Sequence, residues 1–309
     1  MSSIKPKLIV IVGPTASGKT ALAIKIAKKF GGEIISADSR QIYRGMDIGT
    51  AKPTRKERGA VPHHLIDIRN PNRRYTVAEY KRDAIRAIRE ILRKGKLPIL
   101  AGGTGLYTRA VVQNLDIPEV KPNQKLRAKL ERELKRKGLL NLMQKLIALD
   151  PEAAYIVDPK NPRRVIRALE VTLATKKPFS AQRKQGEPLF DVVMIGLNPP
   201  RESLHKKIEK RGIEMIRQGL VSEVRRLIRK YGKTQPAFDA IGYREFIDYL
   251  RGKRTLKDAT NLMNLNTWHY AKRQMTWFRK DKEIHWVENR KEATRLVQRF
   301  LKKSGRSTT

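Results

Sequence analysis

Leu8-Ile9-Val10-Ile11-Val12 runs straight into Gly13-Pro14-Thr15-Ala16-Ser17-Gly18-Lys19-Thr20, and Ala21, Leu22, Ile24, Ile26 and Ala27 follow at helical spacing. A β-branched run, a glycine turn and an amphipathic repeat read as strand, loop and helix. Gly13, four residues, then Gly18-Lys19-Thr20 is the spacing of a phosphate-binding P-loop. Glycine lets the backbone turn its N–H groups around an anion, and the helix that begins there adds its positive end. In such a loop Lys19 sets a charge on a terminal phosphate, and the Thr20 hydroxyl is the expected ligand of Mg²⁺. The loop by itself asks only for a di- or triphosphate. A chance glycine turn with no ligand is the competing reading.

The composition narrows the class. The chain of 309 residues has room for one α/β domain with an insertion, or for two domains. It contains no cysteine, which removes disulfides, thiolate metal sites and a cysteine nucleophile. Its five histidines are scattered, with only His63 and His64 adjacent, and they give no metal-ligand spacing. No apolar run is long enough to span a membrane, so the expectation is a cytoplasmic protein with no membrane partner. Lys and Arg number 68 against 30 Asp and Glu, a formal charge of +38. So large an excess points to a polyanion, most naturally nucleic acid, although a general compositional bias could supply part of it. With only 6% aromatic residues, RNA contact would rest mainly on backbone phosphates.

Along the chain, strand-like runs alternate with helical ones. Glu33–Asp38 reads as a short strand whose polar end places Asp38 and Ser39 beside the phosphate loop. Asp38–Pro53 reads as a functional loop, Tyr75–Arg93 as a helix, and Leu97–Ala101 as a strand entering Gly102-Gly103-Thr104-Gly105. From about Lys121 the pattern becomes helical only. Leu126, Leu130 and Leu134 mark one helix, Gly138 breaks it, and Leu139, Leu142 and Leu146 mark another. A third opens at Asn161-Pro162, with Val165, Ile166, Leu169 and Leu173 inward and Arg163, Arg164 and Arg167 outward. Phe190–Leu197 is expected as the last strand of the sheet. In the helix Arg201–Arg217, Arg211 interrupts the apolar stripe of Leu204, Ile208 and Met215. Its head either snorkels to water or faces a buried anion. Ala259–Arg279 is expected as a long helix burying Leu262, Leu265, Trp268, Met275 and Phe278, and Ser304–Thr309 as a frayed tail.

Taken together, these segments resemble the tRNA dimethylallyltransferases, also called tRNA isopentenyltransferases. The residues that carry the resemblance are the P-loop, Asp38-Ser39-Arg40-Gln41-Ile42-Tyr43, Gly45–Pro53, Pro62–Asp67, Gly102–Tyr107, Arg164–Glu170, Ile241–Glu245 and Lys272–Trp277. They run in colinear order from about Leu8 to Trp286. The resemblance implies an α/β fold, a P-loop NTPase-like parallel sheet flanked by helices with an all-helical insertion. The core would comprise 1–117 and 188–309, with basic C-terminal helices, and 118–187 would grip the tRNA anticodon stem-loop. It also implies transfer of a prenyl group from dimethylallyl diphosphate, rather than use of ATP, to the exocyclic amine of the adenosine 3′ of the anticodon.

By the same resemblance Asp38 is the general base, and Thr15 and Arg211 act with it at the reacting centre. The diphosphate is held by Gly13, Pro14, Thr15, Ala16, Ser17, Gly18, Lys19 and Thr20, with Mg²⁺ as cofactor. The implied tRNA contacts are Asp38, Ser39, Arg40, Gln41, Thr104 and Arg127; Arg163, Arg164, Val165, Ile166 and Arg167; Asp239, Ala240, Ile241, Gly242, Tyr243 and Arg244; and Lys272, Arg273, Gln274, Met275, Thr276, Trp277, Phe278 and Arg279. The expected protein is a monomer. Its charge exceeds what this activity needs, and the zinc finger of eukaryotic members has no counterpart in this sequence.

Chemistry agrees with that implication. An adenine amine is a poor nucleophile, and a carboxylate that takes its proton as the bond forms is the natural aid. Leaving diphosphate is stabilised by loop amides and cations, and water has to be kept from a cation-like allylic carbon. The base must then leave its stack to be reached. At this level several readings stay open. Asp38 could be a capping or Mg²⁺-binding carboxylate, Thr104 could cap the helix after it, and the arginines of 163–167 could be a solvated face. The chain could also be a small-molecule kinase, an enzyme that prenylates free adenine nucleotides, or an RNA-binding module without catalysis.

Overall fold

A computed structural model describes residues 5–117, 123–182 and 185–302. It divides into two compact units, Met1–Val112 with Leu189–Thr309, and Gln113–Pro188. The expected frayed tail and the 118 edge of the expected insertion lie outside the described residues.

In the first unit, β1 (Lys7–Val12), α1 (Lys19–Phe30), β2 (Gly32–Ser36), α2 (Arg55–Ala60), β3 (His63–His64), α3 (Val77–Arg93), β4 (Leu97–Ala101) and α4 (Gly105–Val112) come first. In the second unit are α5 (Gln124–Leu149), α6 (Ala153–Ile156) and α7 (Pro162–Thr175). The chain then returns through β5 (Asp191–Leu197), α8 (Arg201–Arg217), α9 (Leu220–Tyr231), α10 (Tyr243–Leu250), α11 (Leu256–Phe278), β6 (Ile284–Val287) and α12 (Arg290–Lys302).

The strands form one sheet in the order β3-β2-β4-β1-β5-β6, and every pairing is parallel. A parallel sheet needs cover on both faces, so its central strand must be apolar on both. β1 meets that demand. Leu8, Val10 and Val12 face a layer with Tyr80, Ile88 and Ile91 of α3, while Ile9 and Ile11 face Leu22 and Ile26 of α1 and Val297 of α12. All five strand residues are fully buried. Ile11→Ala would cost about 2–5 kcal/mol. A third core joins Ile42 and Met46 of the loop after β2 to Leu220, Phe246 and Met263, so this loop is packed from beneath by α9–α11.

The helical unit has its own core of Leu130, Leu142, Leu146, Val165 and Leu169. Gly138, at φ +80°, breaks α5 where expected, and the Asn161 side chain accepts from the Arg164 amide to start α7. Three expectations are corrected here. Phe190–Leu197 is not the last strand, because β6 pairs beyond it at the sheet edge. Leu173 is 37% and Leu265 50% exposed, so neither is a core position. Among the described residues no helix is long and apolar enough to cross a membrane.

Candidate active site

The site forms where β1, β2 and β4 end side by side. Gly13 (φ +143°) permits the loop to pass under β5, since a Cβ there would stand 2.7 Å from the Leu197 carbonyl oxygen. Gly18, in the left-handed region, opens α1, whose first turn carries no acidic residue to neutralise its positive end. Ala16 also has a positive φ (+61°), and its methyl packs against Leu204, Ile208 and Ala271. The loop is thus held from outside by α8 and α11, while its concave side stays open. The Ser17 hydroxyl is buried in it without a hydrogen-bond partner.

Lys19 donates to the Pro14 carbonyl at 2.5 Å. Burial lowers its pKa to about 7; nearby Asp38 opposes that shift and Arg211 adds to it. Arg211 donates through Nη1 to the Thr15 hydroxyl at 3.3 Å, and burial lowers its pKa as well. The Arg211 head does not run out to water but turns into the phosphate loop. Neither cation forms an ion pair with Asp38 among the described residues, so space remains between them.

Asp38 leaves the end of β2 with its Oδ1 accepting from the amides of Arg40 (2.8 Å) and Gln41 (3.4 Å). Its Oδ2 accepts from none of the described residues. One oxygen is anchored and the other is available. Thr104 does not cap α4 with its side chain. Its hydroxyl accepts from the Ser39 amide at 3.0 Å and lies beside the Tyr270 phenol, whose pKa burial pushes up to about 12. Together these groups line a cleft of about 410 Å³ that includes Thr15, Lys19, Thr20, Asp38, Gln41, Arg211 and Tyr270.

Gln274 has a part that sequence reasoning missed. It is buried, its Oε1 accepts from the Thr15 amide at 2.8 Å, and its Nε2 donates to the Gly103 carbonyl at 2.8 Å. A Cβ at Gly103 would lie 2.1 Å from that amide nitrogen, so glycine is what admits the clamp. Gln274 therefore ties the phosphate loop to the β4 turn and is not a surface contact.

Glu223 was missed entirely. Its carboxylate accepts from the amides of Asp47, Ile48 and Gly49 at 2.9–3.2 Å and from the Tyr243 hydroxyl at 2.6 Å, fixing the loop after β2. Lys52 completes that loop, donating to the Tyr43 carbonyl and to Asp47 and Asp67. Gln41 spans it, donating to the carbonyls of Thr50 and Ala51. An acidic residue inside the stripe Leu220, Glu223, Val224, Leu227 was the available signal.

The contact segments named from sequence divide by face. Lys272, Arg273, Thr276 and Arg279 are exposed, Trp277 is half-buried, and Met275 and Phe278 lie in the core. Asp239 and Arg244 are exposed and Ile241 is half-buried, whereas Ala240, Gly242 and Tyr243 are buried. In the helical unit Arg163 and Arg164 are exposed, and Val165 and Ile166 are core residues. Arg127 and Arg167 both pair with fully buried Glu170, at 3.2 and 3.0 Å. Buried members of these segments mainly shape the surface, and Met275 among them still borders a cavity. Helical periodicity makes that division unavoidable wherever a continuous segment is named.

The comparisons are consistent with one another. The family model described as IPP transferase matches residues 41–281. A tRNA dimethylallyltransferase of Acetivibrio thermocellus is 48% identical over 284 residues, 91% of each chain. A full-length tRNA isopentenylpyrophosphate transferase from Bacillus halodurans superposes with a TM-score of 0.73 at 40% identity, covering 97% of this chain and 98% of that one. A eukaryotic dimethylallyltransferase acting on tRNA gives a TM-score of 0.83 at 28% identity, over 96% of this chain and 80% of that one. With this sheet, this cleft and these relatives, the chain belongs to the IPP transferase family of tRNA-modifying prenyltransferases.

Proposed function

We propose that the chain transfers a dimethylallyl group from dimethylallyl diphosphate to the N6 amine of the adenosine 3′ of the anticodon in tRNA. The observation that carries this is the opposition of charges across one cleft. Lys19 stands on the phosphate loop and Arg211 reaches it from α8, and Asp38, with Oδ2 available, faces the same space without pairing to either.

The diphosphate fits the loop amides, Lys19, and the Thr15 and Arg211 pair. There the negative charge that grows on the leaving group meets preorganised donors. The N6–C1 bond forms as the C1–O bond breaks, and the bonding pair departs with diphosphate. Asp38 Oδ2 takes the N6 proton, while the two amides on Oδ1 hold the carboxylate in register. Thr104 and Tyr270 form the wall beside Asp38 and suit the edge of a base turned out of its stack.

The residues also fit Mg²⁺. The Thr20 hydroxyl is a hard oxygen donor in the cleft, beside the Asp38 carboxylate. No cluster of three acidic or histidine residues could hold a metal by itself among the described residues, which suits an ion that arrives with the diphosphate. When bound, it would neutralise charge on the leaving group. In this reading the helical unit grips the anticodon stem-loop through Arg163 and Arg164, and the enzyme works as a cytoplasmic monomer.

The test is single-turnover transfer from radiolabelled dimethylallyl diphosphate with Mg²⁺, offering an anticodon stem-loop or AMP, with Asp38→Ala as control. Label in the stem-loop alone, lost in the variant, is the expected result. Label in AMP alone would make it a nucleotide prenyltransferase. Label in neither, with turnover of ATP, would make it a kinase.

A further inference from the structure

A second and larger cavity, of about 660 Å³, opens between α8 and α11 in the first unit. It shares no lining residue with the active-site cleft. The two are separated by the packed row of Ala16, Leu204, Ile208 and Ala271 that holds the phosphate loop. Its floor is apolar, with Leu204, Trp268 and Met275. Its rim is cationic, with Arg201, Lys272 and Arg279, and none of the three pairs with a carboxylate among the described residues. Elsewhere on this chain several arginines beside apolar surface are answered by acid, as Arg127 and Arg167 are by Glu170 and Arg244 by Glu245. Here the charge is left open.

Trp268 is half-buried, so one part of the indole packs and another borders the cavity. Arg201 and Lys272 lie 5.5 and 5.9 Å from its ring centroid, and His205 meets it edge-on at 5.1 Å. A free phosphate would need the cations but not the aromatic floor, and an aliphatic ligand would need the floor but not the cations. A flat, apolar body carrying a negative charge satisfies both, and a nucleotide is that shape. The asparagine and threonine at the margin, Asn198 and Thr276, add donors and acceptors suited to a base edge.

We propose that this cavity holds an unpaired nucleotide of the RNA substrate other than the one that reacts. Its base stacks on Trp268, and its phosphate lies between Arg201 and Lys272. The assignment rests on the tRNA reading above, and it makes α11 a two-sided element. Tyr270 and Gln274 serve the chemistry on one side, while Trp268 and Lys272 hold RNA on the other.

The full-length protein is titrated with a four-residue oligoadenylate RNA while tryptophan emission is followed. The chain has three tryptophans, so Trp268→Leu identifies the responding one. The expected result is saturable quenching that disappears in the variant. Arg201→Glu, an exposed position that keeps the fold, should raise KM for the stem-loop roughly tenfold with kcat unchanged. The slope of log affinity against log salt should shrink by about one. Quenching that survives Trp268→Leu, quenching by dimethylallyl diphosphate alone, or an unchanged KM in Arg201→Glu would each overturn the proposal. Should the wild type bind the oligonucleotide at Trp268 yet transfer no prenyl group, the function proposed above falls while this site stands.

Discussion

The active-site cleft and the Glu170 cluster of the helical unit are built from similar parts: two cations and one carboxylate. In the helical unit the parts are closed on each other. Glu170 is fully buried, Arg127 and Arg167 reach it at 3.2 and 3.0 Å, and the Asn123 amide donates to its other oxygen. In the cleft the corresponding groups are held apart. Arg211 is turned to Thr15, Lys19 to a backbone carbonyl, and Asp38 is anchored by its own turn. A carboxylate whose lone pairs are filled by cations stabilises a fold. One kept from its cations by separate anchors can take up a proton while they hold an anion.

That contrast is attacked most directly at Asp38. Asp38→Asn keeps the shape and an oxygen for the two turn amides but removes the base. Single-turnover transfer should fall by about 10²–10⁴-fold, while binding of dimethylallyl diphosphate is retained or tightened. A variant that instead loses diphosphate affinity with transfer intact at saturation would make Asp38 a metal or capping ligand. Rapid-quench kinetics beside equilibrium binding separates the two.

The matching change in the helical unit should act on a different quantity. Glu170→Gln removes the negative charge that Arg127 and Arg167 share, and it should lower stability by about 1–3 kcal/mol, read as a lower Tm. It should also release Arg127 and Arg167 toward a polyanion, so stem-loop affinity at low salt should rise and its salt dependence steepen. Unaltered RNA binding in a folded Glu170→Gln protein would leave those two arginines with a structural task only.

How far sequence reached follows the same division. The P-loop, the parallel order of its flanking strands and the helix from Pro162 were readable, because each is set by local spacing: a glycine interval, a period of two residues or of 3.6, an Asn-Pro start. The place of Asp38 just past the end of β2 was readable because the strand pattern stops there, beside the phosphate loop. What escaped is non-local. Gln274 looks like one polar residue in a basic helix until a contact 259 positions away ties it to Thr15. Glu223 interrupts an apolar stripe, but its task shows only once three loop amides are found converging on it. Arg211 lay between the two cases. Its place in an apolar stripe announced something buried, but only the fold shows that the something is the phosphate loop.

The smallest expected effect belongs to Lys19 and concerns protons. Its pKa lies near 7 because burial disfavours the ammonium, against about 10.5 in an unfolded chain. Between those values the unfolded chain holds a proton that the folded protein has lost. Stability therefore gains from this group as pH rises through the window, and the burden of the buried charge is fully present below pH 7. Diphosphate binding has the opposite sign. The anion restores the charged form, so binding above pH 7 must take up a proton. Raising the pH from 7 to 8 should then weaken affinity by about fivefold through this residue alone. Calorimetry at pH 8 in buffers of different ionisation enthalpy reads the uptake directly, and Lys19→Met should remove it. If uptake is absent while affinity stays flat from pH 7 to 9, Lys19 remains charged in the empty cleft, and Asp38 is compensating it more closely than the open geometry implies.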